Sequence, residues 1–172
     1  VLGLGYIGEF VADRLLKLNY KIVGFKNIPS NSKKKFKIFF TKQISNFISS
    51  SNIIVSILPS TRETENFINK KFLNKMKKNS LLINIGRGSA LNEKDLINHI
   101  KSNKNFYASL DVFKKEPLNK NNKLWNYSNI TITPHVAAIT DIESSLNYIY
   151  TKLQYFSKKN KFKSDIDLKK GY

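Results

Sequence analysis

Gly3-Leu4-Gly5-Tyr6-Ile7-Gly8 is the stretch that decides the fold. Its glycines keep the spacing G-x-G-x-x-G. Val1-Leu2 reads as the end of a strand before it, and Phe10, Val11, Leu15 and Leu18 recur at a helical period after it. A strand, a glycine turn and a helix in that order form a phosphate-binding unit. Gly3 permits the tight turn, and Gly5 lets the backbone approach a pyrophosphate. Gly8 allows helix and strand to pack closely, and the helix N-terminus faces the phosphates.

Working outward, short apolar runs alternate with amphipathic ones. Strands are expected at 21–25, 38–40, 53–58, 81–85, 106–112 and 130–133. Helices are expected around Ile44–Ile48, Phe67–Met76, Glu93–Ile100 and Ile142–Phe156, with Asn92 as an N-cap. Apolar strands alternating with helices predict an α/β fold, a doubly wound parallel sheet covered on both faces. The chain divides as 1–156, a dinucleotide-binding and catalytic domain, and 157–172, a polar, extended C-terminal tail.

The chain has 172 residues and no cysteine, so neither disulfides nor thiolate chemistry are available, and a cytoplasmic setting is expected. No metal site is expected, and no apolar run is long enough to span a bilayer. The formal net charge is +18, yet only Arg14, Arg62 and Arg87 are arginines. Scattered lysines among asparagines and isoleucines suggest a chain-wide drift in residue usage. Weak, salt-sensitive attraction to polyanions follows from the charge, but specific nucleic-acid recognition does not. A basic polyanion-binding protein is therefore one alternative, and a remnant that binds nucleotide with little or no activity is another.

An NAD site usually carries a carboxylate about 20 residues past the glycine turn, where it accepts from the ribose 2′-hydroxyl. Here the second strand ends Gly24-Phe25-Lys26-Asn27, with Lys33, Lys34 and Lys35 close behind. Lys26 and Asn27 occupy the carboxylate's place. A cation there attracts an anionic 2′-phosphate and gains little from a neutral hydroxyl, so NADP (as NADPH) is favoured over NAD.

Three polar residues follow three strands: Arg87 in Gly86-Arg87-Gly88, Glu116 in Phe113-Lys114-Lys115-Glu116-Pro117, and His135 in Thr133-Pro134-His135. In a parallel sheet these strands end on the same edge as the glycine turn, where ligands bind. A guanidinium can hold a carboxylate with two parallel hydrogen bonds. A charged imidazole can deliver a proton as hydride reaches a carbonyl carbon, and a carboxylate on its other nitrogen fixes the tautomer. The glycines flanking Arg87 suggest backbone close to a ligand. His99, in a polar helix, reads as a surface residue.

These stretches resemble the D-isomer-specific 2-hydroxyacid dehydrogenases. The resemblance is carried by Leu82-Ile83-Asn84-Ile85-Gly86-Arg87-Gly88, by Leu110-Asp111-Val112-Phe113 leading to Glu116-Pro117-Leu118, and by Ile132-Thr133-Pro134-His135. His135-Val136-Ala137-Ala138-Ile139-Thr140 and Gly171-Tyr172 look like the glyoxylate/hydroxypyruvate reductase branch. The resemblance implies a Rossmann-like domain that reduces small 2-oxo acids with NADPH, without a membrane, and forms a homodimer at full length. It also implies a shortened first strand here and the absence of most of a second, substrate-binding domain, on which the tail would pack. In its terms Arg87 binds the 2-oxo acid, Glu116 orients the histidine and His135 donates the proton. Asp111 holds the nicotinamide carboxamide. Leu58, Pro59 and Thr64 line the cofactor groove, and Gly3, Gly5, Tyr6, Ile7 and Gly8 cradle the pyrophosphate.

Overall fold

Leu2 sits at the centre of the sheet. It forms parallel bridges to Phe25 on one side and to Ser56 on the other. Its N–H donates to the Val55 carbonyl at 2.8 Å and its carbonyl accepts from the Ile57 N–H at 2.9 Å, while the Phe25 N–H reaches the Val1 carbonyl at 2.9 Å. Two residues thus join two blocks of strands. The computed structural model describes residues 1–27 and 34–160. Along it run α1 (Tyr6–Lys17), β1 (Val23–Phe25), β2 (Lys37–Phe39), α2 (Ile44–Ser50), β3 (Ile53–Ser56), α3 (Lys70–Leu73), β4 (Leu81–Asn84), α4 (Glu93–Ser102), β5 (Tyr107–Leu110), β6 (Ile130–Ile132) and α5 (Ile142–Lys159). One block pairs β1 with β2, the other runs β3-β4-β5-β6, and every pairing is parallel. With Leu2 between them the order is β2-β1-Leu2-β3-β4-β5-β6, the doubly wound arrangement.

Side chains alternate across each strand, so the sheet feeds two apolar clusters. Leu2, Phe25, Phe39 and Ile54 enter the larger one, with Phe47 and Ile48 of α2, Leu73 of α3 and Leu96 of α4. Val1, Leu4 and Ala12 of α1 form the smaller one, with Ile38 and Ile57 packed against it. Helix α1 therefore covers one face, and α2, α3 and α4 cover the other. Cover is unequal: Leu82, Ala108 and Leu110 are buried, whereas Ile53 and Tyr107, on the opposite face of β3 and β5, are about half exposed.

The helices start where the sequence supplies caps. Asn69 Oδ1 accepts from the Lys71 and Phe72 N–H groups, and Asn92 Oδ1 accepts from the Asp95 N–H at 3.1 Å. The helix expected over Phe67–Met76 is only the single turn of α3, because the loop before it is tied into other backbone. Ile68 N–H donates to the Ala90 carbonyl and Asn92 N–H to the Ile68 carbonyl. His99 corrects the surface reading. It is 8% exposed on the core side of α4, with its ring edge-on to Phe106 at 4.7 Å between centroids. Its polar sequence neighbours lie on other faces of the helix.

The chain forms two compact units, Val1–His135 and Val136–Tyr172. In the second unit, Asp141 caps α5 by accepting from the Ser144 N–H at 3.0 Å. This helix runs to Lys159, so Ser157–Lys159 are helical and not extended. The remaining tail, Gly171-Tyr172 included, and Lys33 lie outside the described residues. Among the described residues no helix is long and apolar enough to cross a membrane.

Candidate active site

The glycine turn separates three jobs that the sequence pattern merges. Gly3 has φ +99°, a conformation that side chains disfavour. A Cβ on Gly8 would fall 1.9 Å from the Gly3 carbonyl oxygen, so only glycine lets α1 approach the strand this closely. A Cβ on Gly5 would meet nothing within 4 Å. The space beside Gly5 is open at the N-terminus of α1, where helix amides lack intrahelical acceptors and favour an anion. Tyr6 and Ile7, at 94% and 56% exposure, face solvent on the same turn. These features fit a pyrophosphate.

The glycines around Arg87 pack backbone on backbone. A Cβ on Gly86 would meet Leu58 N and O at 2.6 Å, and one on Gly88 would meet Phe113 C at 1.9 Å. They press the loop after β4 against the loops after β3 and β5. Arg87 itself is exposed, and its guanidinium donates to the Gly86 carbonyl at 2.8 Å.

Glu116 and His135 meet. His135 Nδ1 and Glu116 Oε2 are 2.7 Å apart, and the other carboxylate oxygen, Oε1, accepts from the Phe113 N–H at 2.8 Å. An ionised carboxylate can only accept, so Nδ1 carries the hydrogen and Nε2 is the nitrogen left for exchange with a ligand. The bond from His135, then that from the Phe113 amide, hold the Glu116 carboxyl below its ordinary pKa, with a smaller contribution from the Arg87 guanidinium. Arg87, Glu116 and His135 thus share one electrostatic neighbourhood at the end of β4, β5 and β6.

His135 adopts φ +56°, uncommon for a side-chain-bearing residue, and its N–H donates to the Asp111 carbonyl at 2.9 Å. Asp111 is 3% exposed, and its Oδ1 accepts from Thr133 Oγ1 at 2.5 Å. Thr133, which the sequence reading assigned no role, is placed to orient that carboxylate. Leu58 and Thr64 are also buried. Thr64 Oγ1 donates to the Pro59 carbonyl at 2.6 Å and lies 3.1 Å from Thr61 Oγ1, so it shapes the loop after β3 from within.

At the end of β1, Lys26 N–H donates to the Phe39 carbonyl, and the Asn27 carbonyl accepts from Thr41 Oγ1 at 3.0 Å. Lys26 Nζ lies 3.7 Å from Glu9 Oε1. Glu9 was missed in the sequence, although it directly follows Gly8.

Comparison with known proteins agrees with this geometry. The family described as D-isomer specific 2-hydroxyacid dehydrogenase, NAD binding domain, matches residues 1–137. A glyoxylate/hydroxypyruvate reductase A of Photorhabdus laumondii is 33% identical over 172 residues, 100% of this chain and 55% of that protein. The chain therefore spans about half the length of this curated relative. A D-isomer specific 2-hydroxyacid dehydrogenase of Xanthobacter autotrophicus, solved with NADPH and MES, superposes with a TM-score of 0.92 at 28% identity, covering 99% of this chain and 71% of that one. An NADPH-dependent glyoxylate/hydroxypyruvate reductase of Sinorhizobium meliloti, solved with NADP and sulfate, gives a TM-score of 0.90 at 26% identity over 99% of this chain and 55% of that one. With the glycine turn, the parallel sheet and the Glu116–His135 pair in place, the chain belongs to the D-isomer specific 2-hydroxyacid dehydrogenase family, through its NAD-binding domain.

Proposed function

We propose that this chain is the cofactor-binding and proton-donating part of a reductase of small 2-oxo acids, taking glyoxylate to glycolate and hydroxypyruvate to glycerate with NADPH. The observation that carries the reading is the Glu116–His135 pair, bonded at 2.7 Å on the strand edge that also holds the glycine turn. The names of the similar reductases support the substrate class, and their bound NADP and NADPH support the cofactor.

When bound, the nicotinamide cofactor supplies the hydride. Arg87, exposed between its two packing glycines, holds the substrate carboxylate and polarises the adjacent carbonyl. His135 gives a proton from Nε2 to the carbonyl oxygen as the carbon accepts hydride, so a 2-oxo acid becomes a 2-hydroxy acid. Glu116 holds Nδ1–H and stabilises the charged ring before that transfer. Asp111 holds the carboxamide. The Gly5 opening and the amides of α1 take the pyrophosphate, with Leu58 and Pro59 as a wall. Lys26 and Asn27 would lie beside the ribose, and Lys26 would favour a 2′-phosphate. The protein is read as a cytoplasmic homodimer.

The test is NADPH oxidation dependent on glyoxylate or hydroxypyruvate, with wild-type and His135→Ala protein. Turnover should fall at least 100-fold in the variant while NADPH affinity changes less than threefold, as loss of a general acid implies. Equal losses in turnover and affinity would remove His135 from the proposed role.

A further inference from the structure

Glu9 lies in the first turn of α1, and its two oxygens face two lysines. Oε1 is 3.7 Å from Lys26 Nζ, Oε2 is 2.9 Å from Lys34 Nζ, and Asp13 Oδ2, one turn further along, is 3.6 Å from Lys34 Nζ. Lys26, Glu9 and Lys34 keep 30%, 29% and 19% side-chain exposure, so the cluster is partly shielded. The hydrogen bond that Lys34 donates to Glu9 is the main reason its ammonium is held above its ordinary pKa.

A carboxylate bridging two ammonium groups at the end of β1 is an anion site already filled from within the chain. Two cations and two carboxylates leave no net local charge, so Lys26 alone overstates the attraction for a phosphate. A 2′-phosphate monoester needs the same two cations and brings more charge and more acceptor oxygens than a carboxylate.

We propose that Glu9 is a specificity-setting residue: its carboxylate stands between Lys26 and Lys34 in the place of a 2′-phosphate and is displaced when a 2′-phosphorylated nucleotide binds. Lys34 is then the second cation of that subsite. The inference rests on the reading of this edge as a nucleotide site. A ligand without the 2′-phosphate does not compete with Glu9, so the effect of Glu9 is selective by construction.

The experiment is calorimetric titration of the full chain with two probes, adenosine bearing 2′ and 5′ phosphates and 5′-AMP, for wild type, Glu9→Gln and Lys34→Met. Both side chains are partly exposed, and circular dichroism checks that each variant is folded. Glu9→Gln should tighten the bisphosphate about three- to tenfold and leave 5′-AMP unchanged. Lys34→Met should weaken the bisphosphate about tenfold and leave 5′-AMP unchanged. Weaker or unchanged bisphosphate binding by Glu9→Gln, or equal effects on both probes, overturns the inference and leaves the nucleotide site standing. If wild type binds neither probe, the nucleotide reading falls and this inference with it.

Discussion

Gly5→Ala and Gly8→Ala, two substitutions in one motif, should have opposite phenotypes. At Gly8 the new Cβ would lie 1.9 Å from the Gly3 carbonyl oxygen, where real contacts stay beyond 3.0 Å. Helix and turn must separate by about 1 Å, a strain of about 1–3 kcal/mol. The better helix propensity of alanine returns at most about 1 kcal/mol. With a strain of about 2 kcal/mol less at most about 1 kcal/mol returned, about 1–2 kcal/mol is lost, and at about 2–4 °C per kcal/mol for a chain of this size the Tm should fall by about 2–8 °C. At Gly5 the Cβ meets nothing within 4 Å, and φ −89°, ψ −164° is open to any L-residue. Reduced entropy of the unfolded chain favours alanine by about 0.4–1 kcal/mol. Its poorer N-capping costs a similar amount, so Tm should stay within about 3 °C. The added methyl instead fills the space proposed for a pyrophosphate, and NADPH affinity should drop at least about tenfold, or 1.4 kcal/mol. Differential scanning fluorimetry with and without NADPH reads both effects. The reverse ranking, with Gly5→Ala unfolding and Gly8→Ala merely failing to bind, would refute the assignment of packing to Gly8 and ligand approach to Gly5.

Gly88→Ala should also lower stability, by about 1–3 kcal/mol, because its Cβ would overlap the Phe113 backbone at 1.9 Å. Since Phe113 N–H holds Glu116, turnover should fall more than the Tm change implies, and an unchanged Tm would contradict the packing role. Burial of His99 lowers its pKa from the model-compound value of 6.5, so the folded state binds protons less readily than the unfolded one. Its contribution to stability is therefore complete above pH 6.5 and is lost as pH falls from there towards the depressed folded value. Urea melts at pH 7.5 and 5.5 should show a smaller pH difference for His99→Gln than for wild type, and identical differences would count against this burial effect. Asn92→Ala should cost about 1 kcal/mol through loss of the cap on α4, read as a lower urea midpoint at unchanged slope.

The sheet was legible because its strands announce themselves locally. β4, β5 and β6 are short apolar runs ended by glycine, a polar loop or proline, and parallel pairing sends their ends to one edge, which places Arg87, Glu116 and His135 together. What escaped was non-local. His99 looks polar by its neighbours, but its burial is set by Phe106, which stands just before the next strand. The glycines around Arg87 signal close approach without saying by what, and the approaching groups are the backbones of Leu58 and Phe113. Glu9 follows the glycine turn directly, but its partner Lys34 lies far along the chain, so no local pattern announces their contact. Lys26 could be read as a bare cation from its position, whereas its nearest charge lies on another element.

The most direct test of the account is a calorimetric titration of the purified chain with NADPH and NADH. A single saturable site for NADPH is expected, with weaker binding of NADH and loss of the NADPH isotherm in Gly5→Ala protein that remains folded. Absence of saturable NADPH binding to folded wild-type chain, or binding indifferent to Gly5→Ala, would contradict it.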